Sequence, residues 1–142
     1  MDLIKKHIAY ADPHIRPIID QLRSKILQLN GRIVEGATPQ QRITYSEQRI
    51  FAEVKVQKKL VVVRIFDTGD TDPSGMLQHI EYAAKQGWQH DKELRLDNML
   101  MLDDAMRFVE ASLHFSRNVL PGYSARAKHL VRYSPPSTPR RS

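Results

Sequence analysis

The chain has no cysteine. Disulfides, thiolate metal sites and cysteine nucleophiles are therefore excluded, and the absence fits a reducing compartment. Glycine is scarce, at six residues in 142. None of them builds a Gly-x-Gly-x-x-Gly or Walker loop, so the usual backbone cradles for dinucleotides and nucleoside triphosphates are missing. Long apolar runs are missing too. None exceeds the four residues of Leu60 to Val63, far short of the roughly 20 residues that cross a bilayer as a helix. The first residues, Met1 to His7, lack the apolar stretch of a signal peptide. These absences predict a soluble, cytoplasmic protein without membrane contact. Acid is missing from one region only. Residues 117–142 carry Arg117, Arg126, Lys128, Arg132, Arg140 and Arg141 and not a single Asp or Glu, whereas sixteen basic and sixteen acidic residues cancel over 1–116. The net charge of +6 therefore belongs to the C-terminal stretch.

That division sets the expected organisation. Residues 1–117 have the size and the 41% apolar content of one small domain with its own core. Residues 118–142, with Pro121, Gly122, Pro135, Pro136 and Pro139 among serines and arginines, bury too little apolar surface to offset the entropy of ordering. They read as a flexible basic tail. Within the domain, Asp12-Pro13 resembles a capped helix start, and Ile15, Ile18, Ile19, Leu22, Ile26 and Leu29 follow at helical spacing up to Asn30-Gly31. Short strands are expected near Ile33-Val34 and over Gln41 to Ser46. The run Ile50 to Val56 alternates, with Ala52, Val54 and Val56 on one side and Glu53 and Lys55 on the other. Leu60 to Phe66 continues it after Gln57-Lys58-Lys59, which reads as an antiparallel hairpin. A helix from Asp72-Pro73 toward Gly87, a strand at Leu94 to Leu96, and a last helix on Leu102, Ala105, Met106, Val109 and Leu113 complete the pattern. The fold class is α+β: an antiparallel sheet of four to five strands with two or three helices packed on one side.

The order of these elements, together with particular residues, resembles a known family. His7-Ile8, the isoleucine-rich helix, Ile43-Thr44-Tyr45, Phe51-Ala52-Glu53-Val54 leading into Gln57-Lys58-Lys59-Leu60, Gly87-Trp88, Leu94-Arg95-Leu96 and Asp103-Asp104-Ala105-Met106 are similar to the bacterial domain of unknown function DUF5655, sometimes labelled a predicted transport protein. The resemblance covers roughly residues 7–116. It implies a small α+β domain, of a kind often found beside nuclease-like domains in larger proteins, and brings no catalytic residues with it. The chain departs from the family's Gly-His-Trp-Gly-like cluster. It keeps Gly87-Trp88 and places His90 after the tryptophan.

Four groups of residues invite a functional reading. The tail cations Arg126, Lys128, Arg132, Arg140 and Arg141 suit phosphate backbones, with Tyr123 and Tyr133 available to stack on bases. Lys55, Lys58 and Lys59 form a basic group on the hairpin that either contacts phosphate or protects an exposed strand from aggregation. Tyr45, Trp88 and His90 would line a pocket for a flat ligand, against the plainer reading of Trp88 as a satellite of the core. Asp70, Asp72, Ser74 and Glu81, with Gly75 between, match the spacing of an EF-hand calcium loop. A strand enters that loop where a helix should, so the pattern is read as a helix start at Asp72-Pro73. No metal, cofactor or catalytic group is assigned. The expected function is a non-enzymatic binding or adaptor module, an accessory of a nucleic-acid-processing or defence system, with nucleic acid, another polyanion or a protein as partner. The alternative is a small-ligand-binding domain with its pocket near Tyr45 and Trp88. The oligomeric state is left open.

Overall fold

The alternating run 50–56 and the β-branched run after Leu60 become the centre of a sheet. The computed structural model describes residues 2–73, 75–80 and 90–118. Strands β1 (Val34–Thr38), β2 (Arg42–Glu47), β3 (Arg49–Val56), β4 (Val61–Ile65), β5 (Gln78–His79) and β6 (Lys92–Leu96) form one antiparallel sheet in the order β1-β2-β3-β4-β6-β5. The class is α+β, as the residue pattern implied, but with six strands instead of four or five. The sixth, β5, pairs only Gln78 with Glu93 and His79 with Lys92. Two residues are too few for a period of two to be visible.

Three helices stand among the described residues: α1 (Leu3–Tyr10), α2 (Arg16–Leu27) and α3 (Leu102–Asn118). The first was not anticipated. The second starts later than Asp12-Pro13 suggested, because Pro17 lies in its first turn, where a missing amide donor leaves no ladder bond unmade. Asp12 serves the entry turn instead, its backbone carbonyl accepting from Ile15 and Arg16. Ile18, Ile19, Leu22 and Ile26 of α2 and Ala105, Phe108, Val109 and Leu113 of α3 join Ile43, Tyr45, Val54, Val63, Leu94 and Leu96 of the sheet in one buried cluster, with Ile4 and Ile8 of α1 packed against it. No helix among the described residues is long and apolar enough to cross a membrane.

The helix expected to begin at Asp72-Pro73 does not form there. Gly75 has a φ of 69°, and the Asp72 carboxylate accepts from the amides of Met76 at 3.0 Å and Leu77 at 2.8 Å. An acidic side chain just ahead of a short polar stretch closes a tight turn as readily as it caps a helix. The chain then enters β5. The continuation expected toward Gly87 lies outside the described residues.

One irregularity ties the sheet to α3. The β2–β3 register shifts between Tyr45 and Ser46, leaving Phe51 as an extra residue in β3. Its carbonyl accepts a 2.6 Å hydrogen bond from the buried Ser112 hydroxyl, which in turn accepts from the Phe66 amide at 3.1 Å. His90 Nε2 donates to the Ile50 carbonyl at 2.6 Å, with its ring against Phe66 at a centroid distance of 4.3 Å. A small polar residue on α3 thus repairs the ladder where the bulge interrupts it.

Candidate functional site

Antiparallel pairing gathers the β1–β2 loop, the β3–β4 turn and the exit of β6 at one end of the sheet. The β1–β2 connection spans three residues, with Gln41 at a φ of 64°, a geometry typical of a tight hairpin with an adjoining bulge. Helix α1 is fastened to this end. His7 Nε2 donates to the Thr38 carbonyl at 2.6 Å, and the Asp12 amide, just past α1, donates to the Lys58 carbonyl at 2.9 Å.

Strand alternation sends Ile43, Val54, Val63 and Leu94 to the core, so their neighbours point to the opposite face. There the register aligns two rows. Nearest the turn end run Thr38, Arg42, Lys55, Val62 and Arg95, one from each of β1, β2, β3, β4 and β6. The next row is Gly36, Thr44, Glu53, Arg64, Glu93 and Gln78. Ion pairs link the two. Glu53 lies 3.7 Å from Arg42 and 3.9 Å from Arg64, while Glu93 lies 3.9 Å from Arg64 and 3.0 Å from Arg95. The chain of charges is Arg42, Glu53, Arg64, Glu93, Arg95, with the central arginine buried. Lys55 stands beside it and directly opposite Arg42. Like charges facing across an antiparallel pair oppose stability, and the Arg42 Nε is buried without a hydrogen-bond partner among the described residues.

The three hairpin lysines occupy the same end but not one surface. Lys55 is on the second face. Lys58 and Lys59 project from the turn toward the α1–α2 joint, where Lys58 Nζ stands 5.3 Å from the Tyr10 ring centroid and Lys59 Nζ lies 3.7 Å from Asp12. Arg42 and Arg95 were not singled out from the sequence. Only the strand register brings them into the row of Lys55.

Tyr45 has a different place from the one its sequence suggested. It is fully buried beneath the helices, and its hydroxyl donates to Glu35 at 2.7 Å. The Arg23 guanidinium forks onto the same carboxylate at 2.8 and 3.0 Å. Although burial opposes ionisation of Glu35, these two donors hold its pKa below the ordinary carboxylate value, and burial beside that charge pushes the Tyr45 phenol up. Tyr45 is therefore a core residue serving a half-buried carboxylate. His90 serves the bulge, as described above. Trp88 lies outside the described residues, as do Ser74 and Glu81 of the calcium-like pattern and the cations Arg126, Lys128, Arg132, Arg140 and Arg141.

Arg117 belongs to the domain, not to a free basic arm. On the last turn of α3 it forks onto Glu47 at 2.6 and 3.0 Å, and Arg32 and Asn30 reach the same carboxylate. Hydrogen bonding by Arg117, ahead of that by Arg32, lowers the Glu47 pKa from its ordinary value to about 2. Arg49 donates to the Ser116 carbonyl at 2.8 Å, and burial lowers its own pKa. These contacts lie at the bulge end of the sheet, opposite the cationic turn end.

No curated protein and no solved structure matches the chain. A family model described as a domain of unknown function, DUF5655, matches residues 4–137, which extends past the 7–116 span of the residue-by-residue likeness. The chain belongs to the DUF5655 family.

Proposed function

We propose that the protein is a non-enzymatic nucleic-acid-binding module of the cytoplasm that grips phosphate backbones with the turn end of its sheet. Arg42, Lys55, Lys58, Lys59 and Arg95 supply the contacts within the domain, and Arg126, Lys128, Arg132, Arg140 and Arg141 add to them. The observation that carries this reading is the juxtaposition of Arg42 and Lys55. Two cations directly opposite one another work against the sheet, and among the described residues no ion pair compensates Lys55. A phosphate between them would turn the repulsion into two attractions.

The test is a titration of the full chain, and of a version ending at Asn118, against labelled single- and double-stranded DNA and RNA at low and near-physiological salt. Each phosphate neutralised contributes about 0.7–0.9 to the slope of log affinity against log salt. We expect steep salt dependence for the full chain. The shortened version should keep a slope of about 3.5–4.5, as the five domain cations would give. If neither version binds at low salt, the reading is wrong.

A further inference from the structure

We infer that Tyr10 is a base-stacking platform and that the preferred ligand of the turn end is a single strand. This rests on the phosphate-binding reading above and names the ligand class within it. Helix α1 sends Ile4, His7, Ile8 and the following Ala11 toward the core, which leaves Tyr10 off the buried stripe. Its side chain is exposed, at 41%. At this exposure part of the ring remains open to solvent and to a ligand.

Its surroundings are mainly cationic, with Asp12, 3.7 Å from Lys59, as an acidic neighbour. Lys6 lies one helical turn before Tyr10 on the same face and is exposed. Lys58 stands over the ring, and Lys59 lies one residue further along the turn. The bond from the Asp12 amide to the Lys58 carbonyl fixes these lysines beside the end of α1, and the bond from His7 to Thr38 brings α1 against the strand ending beside Arg42. Ring and cations are thus held by backbone anchors instead of meeting by chance rotation of long side chains. Phosphates on the lysines with a base on the ring is the arrangement by which single strands are held without sequence readout. Duplex bases are already stacked on one another and present no free face to a tyrosine, so duplex binding would rest on the cations alone.

The experiment measures the anisotropy of labelled oligothymidylate and of a duplex of equal length, with the full chain at low salt. Three proteins are compared: wild type, Tyr10→Phe, and Tyr10→Leu, which keeps apolar cover over the joint without a π face. Wild type and Tyr10→Phe should prefer the single strand. Tyr10→Leu should bind it roughly 5- to 150-fold more weakly, the range that base–aromatic stacking spans, with duplex affinity unchanged. A Tyr10→Leu protein that binds the single strand like wild type overturns the stacking platform and leaves the phosphate reading standing. Equal losses on both ligands also overturn it. Wild type that binds neither ligand removes the phosphate reading itself, and this inference with it.

Discussion

Replacing Lys55 by Gln should make the domain more stable and a worse binder. Lys55 faces Arg42 across the β2–β3 pair. At a separation of roughly 5–6 Å in a water-like dielectric, two unit charges repel by about 0.7 kcal/mol, within the range of about 0.2–1 kcal/mol attributed to facing pairs in sheets. Glu53, 3.7 Å from Arg42, already offsets part of that. The net gain on neutralising Lys55 is then about 0.3–0.5 kcal/mol, or a rise of roughly 1–4 °C in melting temperature for a domain of this size. Glutamine retains a methylene stem, so cover over Val62, only 2% exposed, is kept. In the titration, the same variant should lower the salt slope by about 0.7–0.9, one phosphate contact. Thermal denaturation and salt-dependent anisotropy read the two effects separately. A variant that melts lower while binding unchanged would refute the reasoning, since Lys55 would then be structural. Glu53→Gln is the converse. It releases Arg42, while Arg64 keeps Glu93, and should melt lower while binding more tightly.

Ser112→Ala removes the hydroxyl that serves both the Phe51 carbonyl and the Phe66 amide. It should cost about 1–3 kcal/mol, and hydrogen exchange should show the loss first at the bulge. Tyr45→Phe deletes a donor to an ionised carboxylate and should cost about 1.5–3 kcal/mol in chemical denaturation. Glu47, held down to about 2, contributes stability that is fully present above its unfolded value near 4.5 and is lost as pH falls toward 2. Because Arg32 and Arg117 are partly exposed, the contribution is discounted to roughly 1 kcal/mol. Glu47→Gln should flatten stability against pH in that window, and a slope equal to wild type would contradict the assignment. Asp91 behaves oppositely. Burial, then the charge of Asp67, raises its pKa, so its ionised form opposes folding at neutral pH and Asp91→Asn should stabilise the protein there.

How much of this was legible in the sequence depended on where the signal was local. Ala52, Val54 and Val56 announced β3 by alternation, and the β-branched run after Leu60 announced β4, whose five residues are all buried. Asp72-Pro73 misled because the chemistry that caps a helix also closes a turn, and only the φ of Gly75 and the pairing of Gln78 distinguish the two. Pro17 held the correct start of α2, and Asp12-Pro13 drew attention away from it. The candidate site was visible in part. Lys55, Lys58 and Lys59 are adjacent in sequence, while Arg42 and Arg95 join them only through register, a long-range property that no window on one strand carries.

The placement of these charges argues that the two ends of the sheet are built for different purposes. At the bulge end every prominent charge is answered. Glu47 takes Arg117 and Arg32, and Arg49 takes the Ser116 carbonyl in the last turn of α3. At the turn end, Arg42 and Lys55 face one another, and Lys58 has an aromatic face in place of a carboxylate. A sheet selected for stability alone would place Thr or Glu opposite Arg42, either of which pairs better. Retaining a lysine there is a departure from the local rule in a fold that obeys it elsewhere. Such departures mark function when the compensation comes from outside the molecule. Two facing cations on one face and an exposed tyrosine on the helix side of the same end call for a partner that carries both anions and flat rings along its length, and on the proposed reading that partner is a single strand.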